Sequence, residues 1–135
     1  MILKTKRTRI EDIFVISNSG ILLAHKTKEL RPDMDDTLLS GMLTAIQDFI
    51  KDAFKDKSKF GLRRLDFGDS VIHLKRGEGF YIAVVLSGEE PKNLETRLDS
   101  TIKNIEGKYG NVLAGWKGNL GEVRGIKDEL DLLVK

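Results

Sequence analysis

One long amphipathic segment, Asp33–Phe54, restricts the folds open to this chain more than any other stretch of its sequence. Its apolar residues recur at the i, i+3, i+4, i+7 spacing of a helix with one face on a core. They are Leu39, Met42, Leu43, Ile46, Phe49, Ile50 and Ala53. Asp33 is placed to cap this helix, and Asp36 follows three residues later, a variant of the capping box. The pattern predicts one helix laid against a larger apolar surface.

A second stripe of the same helix consists of small residues. They are Thr37, Ser40, Gly41, Thr44 and Ala45. A glycine inside a helix costs about 1 kcal/mol relative to alanine, so Gly41 is unexpected here. Small side chains let another backbone approach closely, whether that backbone is a sheet edge, a neighbouring helix or a second copy of the chain. Packing within the chain is the simpler interpretation. The alternative hypothesis is an interface formed by these five residues.

Two strand candidates precede the helix. The run Ile13–Ile16 is too apolar for a strand with one wet face, so Ile10–Ser17 is predicted to be a central strand with both faces covered. The turn cluster Ser17–Gly20 leads into a second strand that starts at Ile21. Together they predict a β-hairpin in which Gly20 supplies the positive φ that such turns need.

Three further strand candidates follow the helix. They are Leu62–Phe67, Ser70–Lys75 and Phe80–Leu86, and they are rich in the β-branched and aromatic residues that strands favour. Short glycine-containing turns at 68–69 and 76–79 separate them. The three segments predict an antiparallel meander.

A second helix is predicted after Pro91. Apolar residues keep helical spacing as far as Gly110: Leu94, Leu98, Ile102, Ile105 and Tyr109. A break is predicted near Trp116–Gly121, and a weaker third helix from about Leu120 to Val134. The order ββ-α-βββ-α-α predicts an α+β fold, a five-stranded antiparallel sheet flanked by helices. We expect one domain over residues 10–135 and a basic N-terminal tail over residues 1–9.

The charge of the chain is unevenly distributed. The first nine residues carry no acidic side chain and four basic ones, Lys4, Lys6, Arg7 and Arg9. Because the formal net charge of the whole chain is only +2, the remainder has a slight acidic excess. Nucleic-acid-binding proteins concentrate basic residues on one face, so nucleic acid is not an expected partner. A basic tail is attracted to anionic lipid, so we expect peripheral membrane proximity through the N-terminus.

The chain contains no cysteine, and therefore has neither a disulfide framework nor a thiolate metal site. This composition is compatible with a reducing compartment, and a cytoplasmic location is the expectation. No apolar run approaches the ~18 residues of a transmembrane helix. No signal-peptide pattern follows the basic start.

No catalytic, cofactor-binding or metal-ligating residues are predicted. Asp33–Thr37 has the D-x-D-x-T spelling of haloacid-dehalogenase-type phosphatases, but the segment 28–32 before it is not the buried apolar strand that this motif follows. As a calcium loop it has Leu38 where the sixth position requires glycine. His25 and His73 are the only histidines, and neither has a local acid–histidine motif. Helix capping accounts for the aspartates.

The order of elements resembles that of the roadblock and longin domains, a profilin-like group with a five-stranded antiparallel sheet between helices. The longin order matches best, whereas roadblock domains usually add a helix before the first strand. The segments Ile21–His25, Arg31–Asp36 and Ala45–Phe49 are also similar to a segment of archaeal proteins of unassigned role. In those proteins the segment belongs to a cytoplasmic domain attached to membrane-anchored or coiled-coil regions.

The resemblance implies interaction rather than catalysis. Roadblock-like domains dimerise through the crossover helix and a neighbouring strand, and some regulate or scaffold small GTPases. We therefore expect a non-enzymatic, homodimeric interaction module, a regulatory or scaffold domain of a larger membrane-associated or small-GTPase-linked system. Its expected partners are a second copy of the chain and a small GTPase or other protein.

Two alternatives remain open at this point. The first is a small-ligand sensory domain of PAS-like type, with a pocket lined by Phe14, Phe80, Ile82 and Ile102. The second is an enzyme that uses Asp33 or Asp35 with a metal ion.

Overall fold

The computed structural model describes residues 9–27, 39, 41–45, 48, 63–68, 70–88 and 91–134. Five strands occur in this part of the chain: β1 (Arg9–Ser17), β2 (Leu22–Thr27), β3 (Arg64–Phe67), β4 (Ser70–Arg76) and β5 (Phe80–Ser87). They form one antiparallel sheet in the order β2-β1-β5-β4-β3. The predicted α+β fold with a five-stranded antiparallel sheet is confirmed.

The middle strand of the sheet is β5 rather than β1. Strand β1 is an interior strand between β2 and β5, and it has buried side chains on both faces, Ile13 and Val15 on one and Phe14 and Ile16 on the other. The prediction of a strand with both faces covered is confirmed. The first seven residues of β5 are all buried. They form an uninterrupted apolar run, whereas in β1 Asp12 interrupts the apolar sequence. The strand with the longest uninterrupted apolar run therefore lies in the middle of the sheet, where both faces are covered.

The turns follow the sequence prediction closely. Gly20 has φ of 93° in the β1–β2 turn, and its N–H donates to the carbonyl oxygen of Ser17 at 2.9 Å. In the β4–β5 turn, the N–H of Gly77 donates to the carbonyl oxygen of Phe80 at 2.9 Å. A Cβ atom on Gly77 would lie 2.4 Å from the Phe80 ring. Any larger residue at position 77 would require the buried Phe80 ring to shift.

The helices after the sheet differ from their predicted limits. Helix α1 spans Leu94–Ala114 and continues one turn beyond Gly110. The predicted break follows it, but the single third helix is wrong: a 3-10 turn (Leu120–Val123) precedes two four-residue helices, α2 (Ile126–Glu129) and α3 (Asp131–Val134). Within the described residues, no helix is both long and apolar enough to span a bilayer.

A close contact explains one of these interruptions. Gly125 separates the 3-10 turn from α2, and a Cβ atom there would lie 2.1 Å from the hydroxyl oxygen of Tyr109 on α1. The glycine lets the chain pass this ring, and because glycine is a poor helix former, the regular helix is interrupted there.

Side chains alternate along each strand, so the sheet has two faces. The α1 face is covered by α1 and the C-terminal helices. Its buried strand residues are Ile10, Ile13, Val15, Leu23, Ala24, Phe80, Ile82, Val84 and Leu86. The opposite face, here called the crossover face, packs against Leu39 and Leu43. Its buried strand residues are Phe14, Ile16, Ile72, Leu74, Tyr81, Ala83 and Val85.

The predicted long helix is described only in part. Leu39, residues 41–45 and Asp48 are helical; we call these residues the crossover segment. Leu43 is buried and Leu39 is half-buried, as predicted, but Met42 is 54% exposed and does not lie on the core. Successive residues of a helix point about 100° apart around its axis. The sheet covers a narrower part of the helix circumference than the predicted apolar positions span, and Met42 lies outside that part. The capping residues Asp33 and Asp36 lie outside the described residues.

Candidate interaction surface

A buried hydrogen bond joins the crossover segment to the middle of the sheet. The hydroxyl oxygens of Thr44 and Tyr81 are 2.7 Å apart, and the two residues are 8% and 2% exposed. A hydroxyl pair in an apolar surrounding has one favourable geometry, because a misplaced hydroxyl would lose its partner without gaining water. The bond therefore helps to fix which side of the segment faces the sheet.

The β1–β2 turn lies against the same threonine. A Cβ atom on Gly20 would be 3.5 Å from the Cβ atom of Thr44, which is ordinary van der Waals contact. The turn Asn18–Ile21 and the crossover segment are therefore neighbours on the surface. Thr44 is buried beneath the surface, between the turn and Tyr81.

The predicted interface residues do not share one environment. Gly41 and Ala45 are exposed, and no atom of the residues that the structure describes lies within 4 Å of a Cβ atom placed on Gly41. Thr44, by contrast, is buried against the sheet. Thr37 and Ser40 fall outside the described residues. The five-residue interface stays a prediction, and among its described members Gly41 and Ala45 are exposed.

Three large apolar side chains are exposed among the described residues: Ile21, Met42 and Leu120, at 43%, 54% and 53%. The first two lie in the same region. Ile21 and Met42 belong to the two elements that meet at the Gly20–Thr44 contact. Leu120 belongs to the 3-10 turn, whose Val123 packs in the core of the α1 face. The sequence pattern had assigned Met42 to the core and Ile21 to a strand, so it did not identify this surface.

A second buried polar pair lies farther along the crossover face. Asp12 is 1% exposed, and its Oδ1 atom is 2.9 Å from Nε2 of His25 on the edge strand β2. The imidazole ring stacks on Phe14, with ring centroids 4.3 Å apart and planes 11° apart. The pair links β2 to β1, so His25 has a structural role, as predicted. The sequence did not predict a role for Asp12.

The chemistry available at this pair is limited. Within the part of the chain that the structure describes, no group of three or more histidine, cysteine, aspartate or glutamate side chains could hold a metal ion. His73, the other histidine, lies on β4 opposite Arg64 and Val84, away from Asp12. The aspartates Asp33 and Asp35 of the proposed enzyme lie outside the described residues.

Ion pairs attach the helices on the α1 face. Lys75 on β4 lies 2.7 Å from a carboxylate oxygen of Glu95 and 2.9 Å from one of Asp99. The hydrogen bonds to Glu95 and then Asp99 raise the pKa of Lys75 above its ordinary value. Lys108 pairs with Glu129 at 2.6 Å, and this bond raises the pKa of Lys108. These ion pairs are exposed to solvent, and they hold α1 against β4 and α2 against α1.

The ligand pocket proposed from the sequence does not form. Phe14 pairs with Ala83 and therefore lies on the crossover face, whereas Phe80, Ile82 and Ile102 belong to the core of the α1 face. All four residues are buried, and the sheet separates the first from the others. An open depression of about 310 Å³ exists elsewhere, but a single stretch, Pro91–Glu95, lines it.

No protein-family model matches the sequence, and no curated protein sequence matches it significantly. Solved structures do share the fold. A roadblock/LC7 domain from Streptomyces avermitilis aligns with a TM-score of 0.55 and 15% identity, over 75% of this chain and 87% of that one. MglB from Myxococcus xanthus aligns with a TM-score of 0.57 and 11% identity, over 77% and 79% of the two chains. The resemblance to roadblock domains is therefore confirmed, at the level of the fold.

Proposed function

We propose that this roadblock-fold chain is a non-enzymatic interaction module that forms a homodimer through the exposed side of its crossover segment. The observation that carries the proposal is the exposure of Gly41, which no described residue covers, beside exposed Ala45 and Met42. The resemblance to roadblock domains supports it, since domains of that kind dimerise through the corresponding helix.

The small side chains of the crossover segment permit close approach by a partner chain. Gly41 and Ala45 are four residues apart and lie on the same side of a helix, so a partner backbone can come near without meeting a side chain. A glycine there weakens the isolated helix by about 1 kcal/mol relative to alanine, which dimer contacts would offset. The unbranched Met42 adapts its shape to a partner surface, and its burial would stabilise the dimer.

The wider role follows from the family resemblance. We propose a regulatory or scaffold domain in the cytoplasm, with a small GTPase or another protein as a further partner. The four basic residues within the first nine support proximity to an anionic membrane. The ligand-sensor alternative has less support because its four proposed lining residues lie on two faces of the sheet.

Sedimentation velocity over a wide concentration range tests the homodimer directly. Wild-type chain is compared with Gly41→Arg and with Gly107→Arg. Gly107 is a suitable control because it is also an exposed helical glycine with nothing within 4 Å of a Cβ atom, but lies on α1. We expect a dimer for the wild type and the control, and a folded monomer for Gly41→Arg. A wild type that stays monomeric at every concentration would refute the proposal.

A further inference from the structure

We draw no further inference here: the strongest candidate, the apolar surface patch of half-buried Trp116 and exposed Leu120 beside the end of α1, carries no proposal because nothing in the described part of the structure shows what covers it.

Discussion

The two faces of the sheet are built in different ways. On the α1 face, apolar side chains from the strands, α1 and the C-terminal helices enclose one another, and the chain covers this face with its own residues. Among the described residues of the crossover face there are two polar pairs: Thr44–Tyr81, which is buried, and Asp12–His25, which is part-buried. Above it, part of the crossover segment is exposed and apolar.

This difference separates stability from specificity. Apolar burial stabilises a layer but has little directional preference, whereas buried hydrogen bonds permit few arrangements. The α1 layer therefore stabilises the fold mainly through apolar burial. The polar pairs of the crossover face fix the positions of β2 and the crossover segment, the two elements that flank the proposed dimer surface.

The largest effect is expected from removing apolar volume on the α1 face. Ile105 is completely buried between α1 and the sheet, so Ile105→Ala should destabilise the fold by about 2–5 kcal/mol through lost burial and a cavity. Chemical denaturation measures the change. The adjacent, exposed Asn104→Ala should stay within about 0.5 kcal/mol. Similar losses for both variants would mean that the α1 layer is not packed as described.

A smaller effect is expected at the buried pair of the crossover face. His25→Ala removes the imidazole next to the buried Asp12 carboxylate, and hydrogen bonds to such groups contribute about 1.5–3 kcal/mol. Denaturation of His25→Ala and His25→Phe separates two contributions, since phenylalanine can keep the stacking on Phe14 but not the hydrogen bond. Full stability in His25→Phe would show that the pair contributes nothing beyond ring packing.

The Thr44–Tyr81 bond should contribute about 1–2 kcal/mol. Thr44→Val keeps the shape of the side chain and removes its hydroxyl, so the tyrosine loses this partner. A double-mutant cycle with Tyr81→Phe measures the coupling, which should be about 0.5 kcal/mol or more for residues in contact. If the losses in unfolding free energy of the two single variants are additive, the two hydroxyl groups do not interact in solution.

The smallest effect is expected from the exposed ion pairs of the α1 face. Because Glu95 and Asp99 raise the pKa of Lys75 in the folded chain, the stabilisation is present below the ordinary lysine value of 10.5 and is lost as the pH rises through the raised pKa. Surface pairs contribute about 1 kcal/mol or less. The stability difference between wild type and Lys75→Met should therefore be small at neutral pH and decrease under alkaline conditions. A difference that grows with alkaline pH would contradict this assignment.

The sequence predicted the features that depend on local patterns. The Phe80–Leu86 run, the turn at Gly20 and the spacing of Leu94, Leu98 and Ile102 each identify an element without any knowledge of its neighbours. The predicted order ββ-α-βββ-α-α followed from them. The interruption between the 3-10 turn and α2 was not predicted, because the close approach of Gly125 to Tyr109 joins residues that are distant in sequence.

The candidate site was less predictable for the same reason. Asp12 and His25 are 13 residues apart, and their contact requires the β1–β2 register, which shifts between Val15 and Ile16. The direction of Thr44 depends on Tyr81, 37 residues away. Helical periodicity identified Gly41 and Ala45 as small residues on one side. It could not show that Met42 is exposed or that Thr44 turns inward.

Hydrogen–deuterium exchange, followed by mass spectrometry at several protein concentrations, tests the difference between the faces most directly. We expect dimerisation to slow exchange in peptides covering residues 41–45, and to leave the exposed side of α1 around residues 100–111 unchanged. Protection confined to α1, or no dependence on concentration anywhere, would contradict the claim that the crossover side of this chain is its interaction surface.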